Sequence, residues 1–195
     1  MKSRVLYSSI VASLLLVACR PYAFNGSEFP ELLPAADFEL MRADGQPYRL
    51  SDRQGRVVLI FFGYTSCPDV CPATLADAKR IIEGLGDQAD QVDFLFVTVD
   101  PERDTPEVLG NYVANFHPGI TALTGSPDAL AAMREDYFAF AEKEVIEGSA
   151  VGYLMTHTAR VFLVDPAGRL RLSYAFGTLP GDILKDVRYI LKTET

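Results

Sequence analysis

Val57-Val-Leu-Ile-Phe-Phe62 and Phe94-Leu-Phe-Val-Thr-Val99 are six-residue runs without a charge, a glycine or a proline. A strand with one wet face alternates in polarity, whereas a continuous β-branched and aromatic run of this length marks a strand covered on both faces. The segment between the runs supplies part of the cover. Leu75, Ala78, Ile81, Ile82 and Leu85 recur at helical spacing and give an apolar face to a helix from about Pro68 to Leu85. The two strands and this helix should form a βαβ unit with parallel strands and a right-handed crossover.

The remaining elements follow from turn and cap signals. Phe38-Glu-Leu40 and Tyr48-Arg-Leu50 flank Asp44-Gly45, which predicts a β-hairpin. Thr105 and Ser126 each precede a proline, the pattern of an N-cap followed by a first helical residue. The second of these helices is expected to reach about Phe140. Ile120–Leu123 reads as a short strand, and 142–150, charged and glycine-bearing, as a loop. Strands at Ala159–Val164 and Leu170–Tyr174, turned by Asp165-Pro-Ala-Gly168, lead to a last helix over Pro180–Leu191. The order is βαβ, a further helix, then ββα. It describes an α/β domain with a thioredoxin-like fold, an N-terminal β-hairpin and an inserted strand and helix.

With 195 residues, 49% hydrophobic and 23% charged, the chain has room for one globular domain. A formal charge of −8 and no basic stripe speak against nucleic-acid binding. The N-terminus differs in character. Lys2 and Arg4 precede an apolar stretch, Ile10–Val17, that is too short to span a bilayer and reads as a secretory signal. Leu16-Val17-Ala18-Cys19 resembles the lipobox of bacterial lipoproteins. That resemblance implies lipidation of Cys19 and cleavage after Ala18, which would remove Lys2 and Arg4 and take the charge from −8 to −10. The alternative is an ordinary Cys19 within an uncleaved anchor; either reading places the domain outside the cytoplasm. The expected division is a signal peptide over 1–18, a flexible tether over 19–33 containing Pro21, Gly26, Ser27 and Pro30, and the folded domain over 34–195. The setting is extracytoplasmic (periplasmic), with the membrane reached through a lipid on Cys19.

Cys67-Pro-Asp-Val-Cys71-Pro72 stands where the first buried strand gives way to a helix. Unpaired N–H groups and the partial positive charge of a helix start favour thiolate over thiol. Thiolates both bind metals and attack disulfides, so position alone does not choose. Three residues separate the cysteines, against two in thioredoxin-type redox motifs. On a helix that spacing puts both sulfurs on one face with Cα atoms roughly 6 Å apart, compatible with a disulfide and equally with a two-point clamp on a metal.

Three motifs in order, Cys67-Pro-Asp-Val-Cys71-Pro, Val97-Thr-Val-Asp-Pro-Glu-Arg-Asp104-Thr-Pro and Tyr153-Leu-Met-Thr-His157-Thr, resemble those of the Sco family, also called SenC or PrrC. The resemblance covers roughly 34–192. It implies a thioredoxin-like domain anchored outside the cytoplasm, a metal held by Cys67, Cys71 and His157, and a part in building the dinuclear copper centre of cytochrome c oxidase. The implied partners are the oxidase subunit that carries that centre and another periplasmic copper chaperone. Two soft thiolates and one imidazole suit Cu(I), and a fourth ligand would accommodate Cu(II). Where the family commonly has aspartate, directly before the histidine, this chain has Thr156. Asp100, at a strand end, is a further candidate for a supporting contact, as Thr156 is.

Other residues read as structural. His117 sits at a helix end, Arg103 and Asp104 form a local turn network, Asp69 complements the helix dipole, Met155 fills core, and Tyr64 and Tyr153 pack. A copper chaperone, not an enzyme, is the first expectation. A thiol-disulfide oxidoreductase that reduces the oxidase's copper-ligand cysteines, its own Cys67 and Cys71 forming a disulfide when oxidised, is the second, and a redox or copper sensor the third. No proline lies in Tyr153–Arg160, where a thioredoxin enzyme would place one opposite its cysteines. The residues before Cys67 do not match a peroxidase site.

Overall fold

β4 (Val57–Gly63) is buried at every position, and β5 (Val92–Thr98) at all but Asp93. They pair in parallel, Val57 with Val92 through Gly63 with Thr98, as the two uninterrupted apolar runs require. The computed structural model describes residues 22–149 and 151–194. Its other elements are β1 (Ser27–Pro34), β2 (Glu39–Arg42), β3 (Pro47–Arg49), α1 (Val70–Leu85), α2 (Pro106–Ala114), β6 (Ile120–Thr124), α3 (Pro127–Asp136), β7 (Ala141–Val145), β8 (Tyr153–His157), β9 (Arg160–Val164), β10 (Arg169–Ala175) and α4 (Pro180–Thr193). Eight strands make one mixed sheet in the order β1-β10-β9-β4-β5-β6-β2-β3, and β7 and β8 pair apart from it. This is the expected α/β, thioredoxin-like layout. The hairpin β2–β3 turns at Gly45 (φ 82°) and joins the sheet through β6.

Helices cover both faces. Phe61, Phe96 and Tyr112 of α2 meet as tilted rings on one side, where α1 packs on α4 so closely that a Cβ on Gly84 would stand 2.7 Å from Leu184 Cδ2. Phe62, Phe162 and Tyr137 meet on the other side. Thr105 and Ser126 cap α2 and α3 as expected, each hydroxyl accepting from the amide three residues on.

Three expectations change. The helix expected to reach Phe140 ends at Asp136, because Phe138 N–H donates to Glu135 O and Ala139 N–H to Arg134 O, a Schellman closure. Phe138 fills the left-handed position (φ 55°) usually given to glycine, a strained choice for an aromatic residue. The chain thereby turns back, and the expected loop 142–150 instead begins with β7, paired to β8 from Ala141–His157 to Val145–Tyr153. Third, the flexible tether 19–33 is largely docked structure. β1 runs antiparallel to β10, with a register shift across Pro30, which has no N–H to give, and this is tolerated because β1 is an edge strand. The signal peptide, Cys19 and the remainder of the tether lie outside the described residues. Among the described residues no helix is long and apolar enough to cross a membrane.

What docks the N-terminal segment is Asp186, fully buried on α4. It accepts from Tyr22 Oη (2.9 Å), Asn25 N (2.9 Å), Asn25 Nδ2 (2.8 Å), Gly26 N (3.0 Å) and Tyr174 Oη (3.3 Å). Asp186→Ala should therefore leave several donors without a partner and lower unfolding free energy by about 3 kcal/mol. Urea denaturation measures the loss, and hydrogen exchange should show Asn25 and Gly26 amides unprotected. A change below ~0.5 kcal/mol would contradict the anchoring role.

Candidate metal centre

The site stands at the C-terminal end of β4, the end of an open α/β sheet where ligand crevices form. Gly63 closes that strand with no space for a side chain. A Cβ there would lie 2.6 Å from the Phe96 ring and 2.8 Å from Cys71 Sγ. The chain then crosses Tyr64–Ser66 and enters α1 at Val70, which buries Cys71 completely and leaves Cys67 half-buried. Asp69 makes no side-chain cap. Cys67 takes that role instead, since its Sγ accepts from Cys71 N–H at 3.5 Å.

His157 comes from β8. Its Nε2 lies 3.6 Å from Cys71 Sγ, and its Nδ1 is 3.3 Å from Thr158 O. The phenol ring of Tyr64 stands edge-on to the imidazole at 5.8 Å, and Phe61 at 6.0 Å. The ligating atoms of Cys67, Cys71 and His157 all lie within 4.8 Å of one another. Thiolate and imidazole ligands bind a first-row ion at roughly 2.0–2.3 Å, which sets neighbouring donors roughly 3.5–4 Å apart. Cys71 and His157 already stand at that separation. Two sulfurs and one ring nitrogen fit a soft ion, and among the described residues this is the one Cys/His/Asp/Glu group compact enough to hold a metal.

The thiols share one proton unequally. The hydrogen bond from Cys71 draws the Cys67 thiol down to about 3, helped by His157 and the Asp69 and Cys71 amides and opposed by burial. The same hydrogen bond, with burial, pushes Cys71 far up. Cys67 is therefore the half-buried thiolate and Cys71 the buried thiol.

The two supporting candidates stand apart from the ligand atoms. Asp100 is buried, but it accepts from Tyr153 Oη (2.8 Å) and Arg103 Nε (2.5 Å). Thr156 points away from His157, because successive strand residues face opposite sides, and donates to Glu144 at 3.4 Å. Thr156 also pairs across the strand with Glu142. Aspartate at 156 would put a third carboxylate on that face, and threonine avoids the repulsion. Met155 packs on the core, and His117 accepts from Gly119 N–H in its own turn.

Asp104 has more to do than the sequence reading gave it. It is buried and accepts from Thr65 N (3.1 Å), Thr65 Oγ1 (2.5 Å) and Thr98 Oγ1 (2.7 Å), so it ties the loop before Cys67 to the end of β5. Burial pushes its carboxyl up, against those hydrogen bonds. A threonine in each of two strand-end segments was the available signal, but their convergence on one carboxylate is a tertiary fact.

With this geometry in view, the chain compares as follows. The SCO1/SenC family model matches residues 30–192. The SCO2-like protein of Rickettsia felis is 29% identical over 198 residues, covering 95% of this chain and 97% of the relative. Apo Sco1 from Thermus thermophilus, 40% identical, superposes with a TM-score of 0.77 over 87% of this chain and 98% of that one. Copper-bound ScoI of Bradyrhizobium japonicum, 34% identical, gives 0.73 over 80% and 98%.

Two outcomes are expected of the metal-free, reduced chain. Alkylation should fall on Cys67 alone, at a rate flat from about pH 5 to pH 8 and dropping only below about pH 4, where its thiolate takes up a proton. A rate rising tenfold per pH unit through neutrality would contradict this. Gly63→Ala should cost roughly 1–3 kcal/mol in denaturant unfolding, because Phe96 and the Cys71 sulfur must both move.

Proposed function

The chain belongs to the SCO1/SenC family, and from that membership and the Cys67–Cys71–His157 geometry we propose that it binds copper and delivers it, without turnover, to another protein. The observation that carries the reading is the convergence of two sulfurs and one imidazole nitrogen within 4.8 Å. Three soft donors satisfy Cu(I) and leave a coordination position open for a receiving ligand. A half-buried Cys67 gives that ligand a way in, while buried Cys71 keeps the other side closed. We place the site of delivery in the dinuclear copper centre of cytochrome c oxidase, which family membership implies, and the domain outside the cytoplasm on a lipid at Cys19.

One observation favours a second use of the same residues. A half-buried, low-pKa thiolate beside a fully buried thiol is the asymmetry that thiol-disulfide exchange needs, with Cys67 attacking and Cys71 resolving. Reduction of an acceptor's disulfide before metal transfer, with Cys67 and Cys71 left joined as a disulfide, would draw on it.

Competition for Cu(I) against a chromophoric chelator tests the first reading. His157→Ala in the reduced chain should weaken binding by more than about 100-fold, since loss of a mere supporting contact already costs 10–100-fold. Equal affinities would remove His157 from the site and with it the delivery proposal. Vigorous insulin reduction by the metal-free chain would favour the oxidoreductase instead.

A further inference from the structure

The ligands come from two bodies of unequal stiffness. Cys71 rides on α1 and Cys67 on the short connection from β4 to it, whereas His157 ends a two-stranded hairpin with no rung to the main sheet. An isolated pair of strands is marginal in water, so the continuation into β9 at Arg160, the Met155 N–H bond to Tyr64 and further contacts outside the ladder hold His157 against the sulfurs.

We propose that Arg103 is a positioning residue among these contacts, latching β8 onto the segment that leaves β5. Its guanidinium lies 3.7 Å from the centroid of the Tyr153 ring. Its Nη1 donates to Tyr153 O at 3.1 Å, and its Nε donates to Asp100, whose other oxygen accepts from Tyr153 Oη. One planar cation thus grips the ring, the carbonyl and, through Asp100, the hydroxyl of a single residue. Tyr153 and His157 sit four positions apart on one strand, so both project from the same face, and fixing one fixes the heading of the other. The guanidinium also lies 5.8 Å from the Tyr64 ring, the ring that stands edge-on to His157. A second, weaker strut is Lys143, which stands 4.3 Å from the Tyr153 ring and pairs with Glu102 at an exposed position. Asp100 then supports the site through Arg103 and Tyr153, with no contact to a ligand atom.

The inference rests on His157 being a copper ligand, and the experiment separates the two claims. Ring resonances of His157 in the reduced, metal-free chain report its position directly. Arg103→Ala should move them toward free imidazole, and Arg103→Lys should rescue them little, because an ammonium cannot make the forked bonds. Cu(I) affinity should fall about tenfold on Arg103→Ala, yet change by less than about twofold when Arg103→Ala is added to His157→Ala. Cys67 alkylation and the urea midpoint check that the fold survives; should Arg103→Ala unfold the chain, Arg103→Lys carries the same comparison. Unmoved His157 resonances, or equal losses in both backgrounds, would overturn the latch. A His157→Ala chain that binds Cu(I) as tightly as the wild type would sink the copper reading alone, and the metal-free resonances would still decide the latch.

Discussion

The close approach at the end of β4 governs the rest of the site. Gly63 has the Phe96 ring and the Cys71 sulfur where a Cβ would go, so strand, second strand and helix start meet with no slack. That contact can exist only because β4 is buried on both faces and α1 begins seven residues beyond the strand's last position. It holds Cys71 inside the core, and a dry sulfur in a core has no water to stabilise its charge. The negative charge therefore settles on Cys67, where a helix-start amide and the Cys71 thiol both donate to it. Packing at one glycine thus adds burial to the hydrogen bond between the two thiols in setting which of them is charged.

How much of this is legible in the sequence follows the range of the forces. The buried strands, α1, the cap-proline starts of α2 and α3 and the turns at Gly45 and Gly168 are written in local pattern, and they appear where pattern puts them. The Cys67–Cys71 pair is local as well. His157 joins it across 86 residues of chain, and nothing within Tyr153–Thr158 distinguishes a ligand from a surface histidine except the family resemblance. β7 escapes a local reading because Ala-Glu-Lys-Glu-Val has little apolar surface to alternate; partnership with β8 makes it a strand. The docked segment before β1 escapes for the same reason. Asn25 and Gly26 describe a tether until Asp186, 160 residues beyond Gly26, collects their amides.

Two of the buried aspartates, Asp186 and Asp104, are used in one structural way. Asp186 and Asp104 are carboxylates inside the domain, each surrounded by donors from a distant segment. A buried carboxylate stripped of its partners is strongly destabilising, and one fully satisfied specifies a single arrangement of the backbone around it. Asp186 does this for the entry of the chain and Asp104 for the loop that presents the cysteines. The two resemble each other in chemistry and differ in consequence, since only Asp104 stands next to the sulfurs.

The division between a stiff thiol pair and a separately held imidazole bears on what such a centre is suited to. A resident metal is best served by ligands fixed from one rigid body, because preorganised donors lose least entropy on binding. A cargo ion has a different need: at least one ligand must yield without unfolding the site. Here the yielding ligand would be His157, on a hairpin held in part through one cation, one ring and one buried carboxylate. Loss of the imidazole would leave the ion on two sulfurs, with Cys67 facing solvent. The strand pattern that sends Thr156 outward and His157 inward keeps the acidic face of Glu142 and Glu144 on the far side, so those two carboxylates are kept away from the soft donors. On the delivery reading, selectivity and release are therefore set by the same hairpin, one by which way its residues face and the other by how firmly it is held.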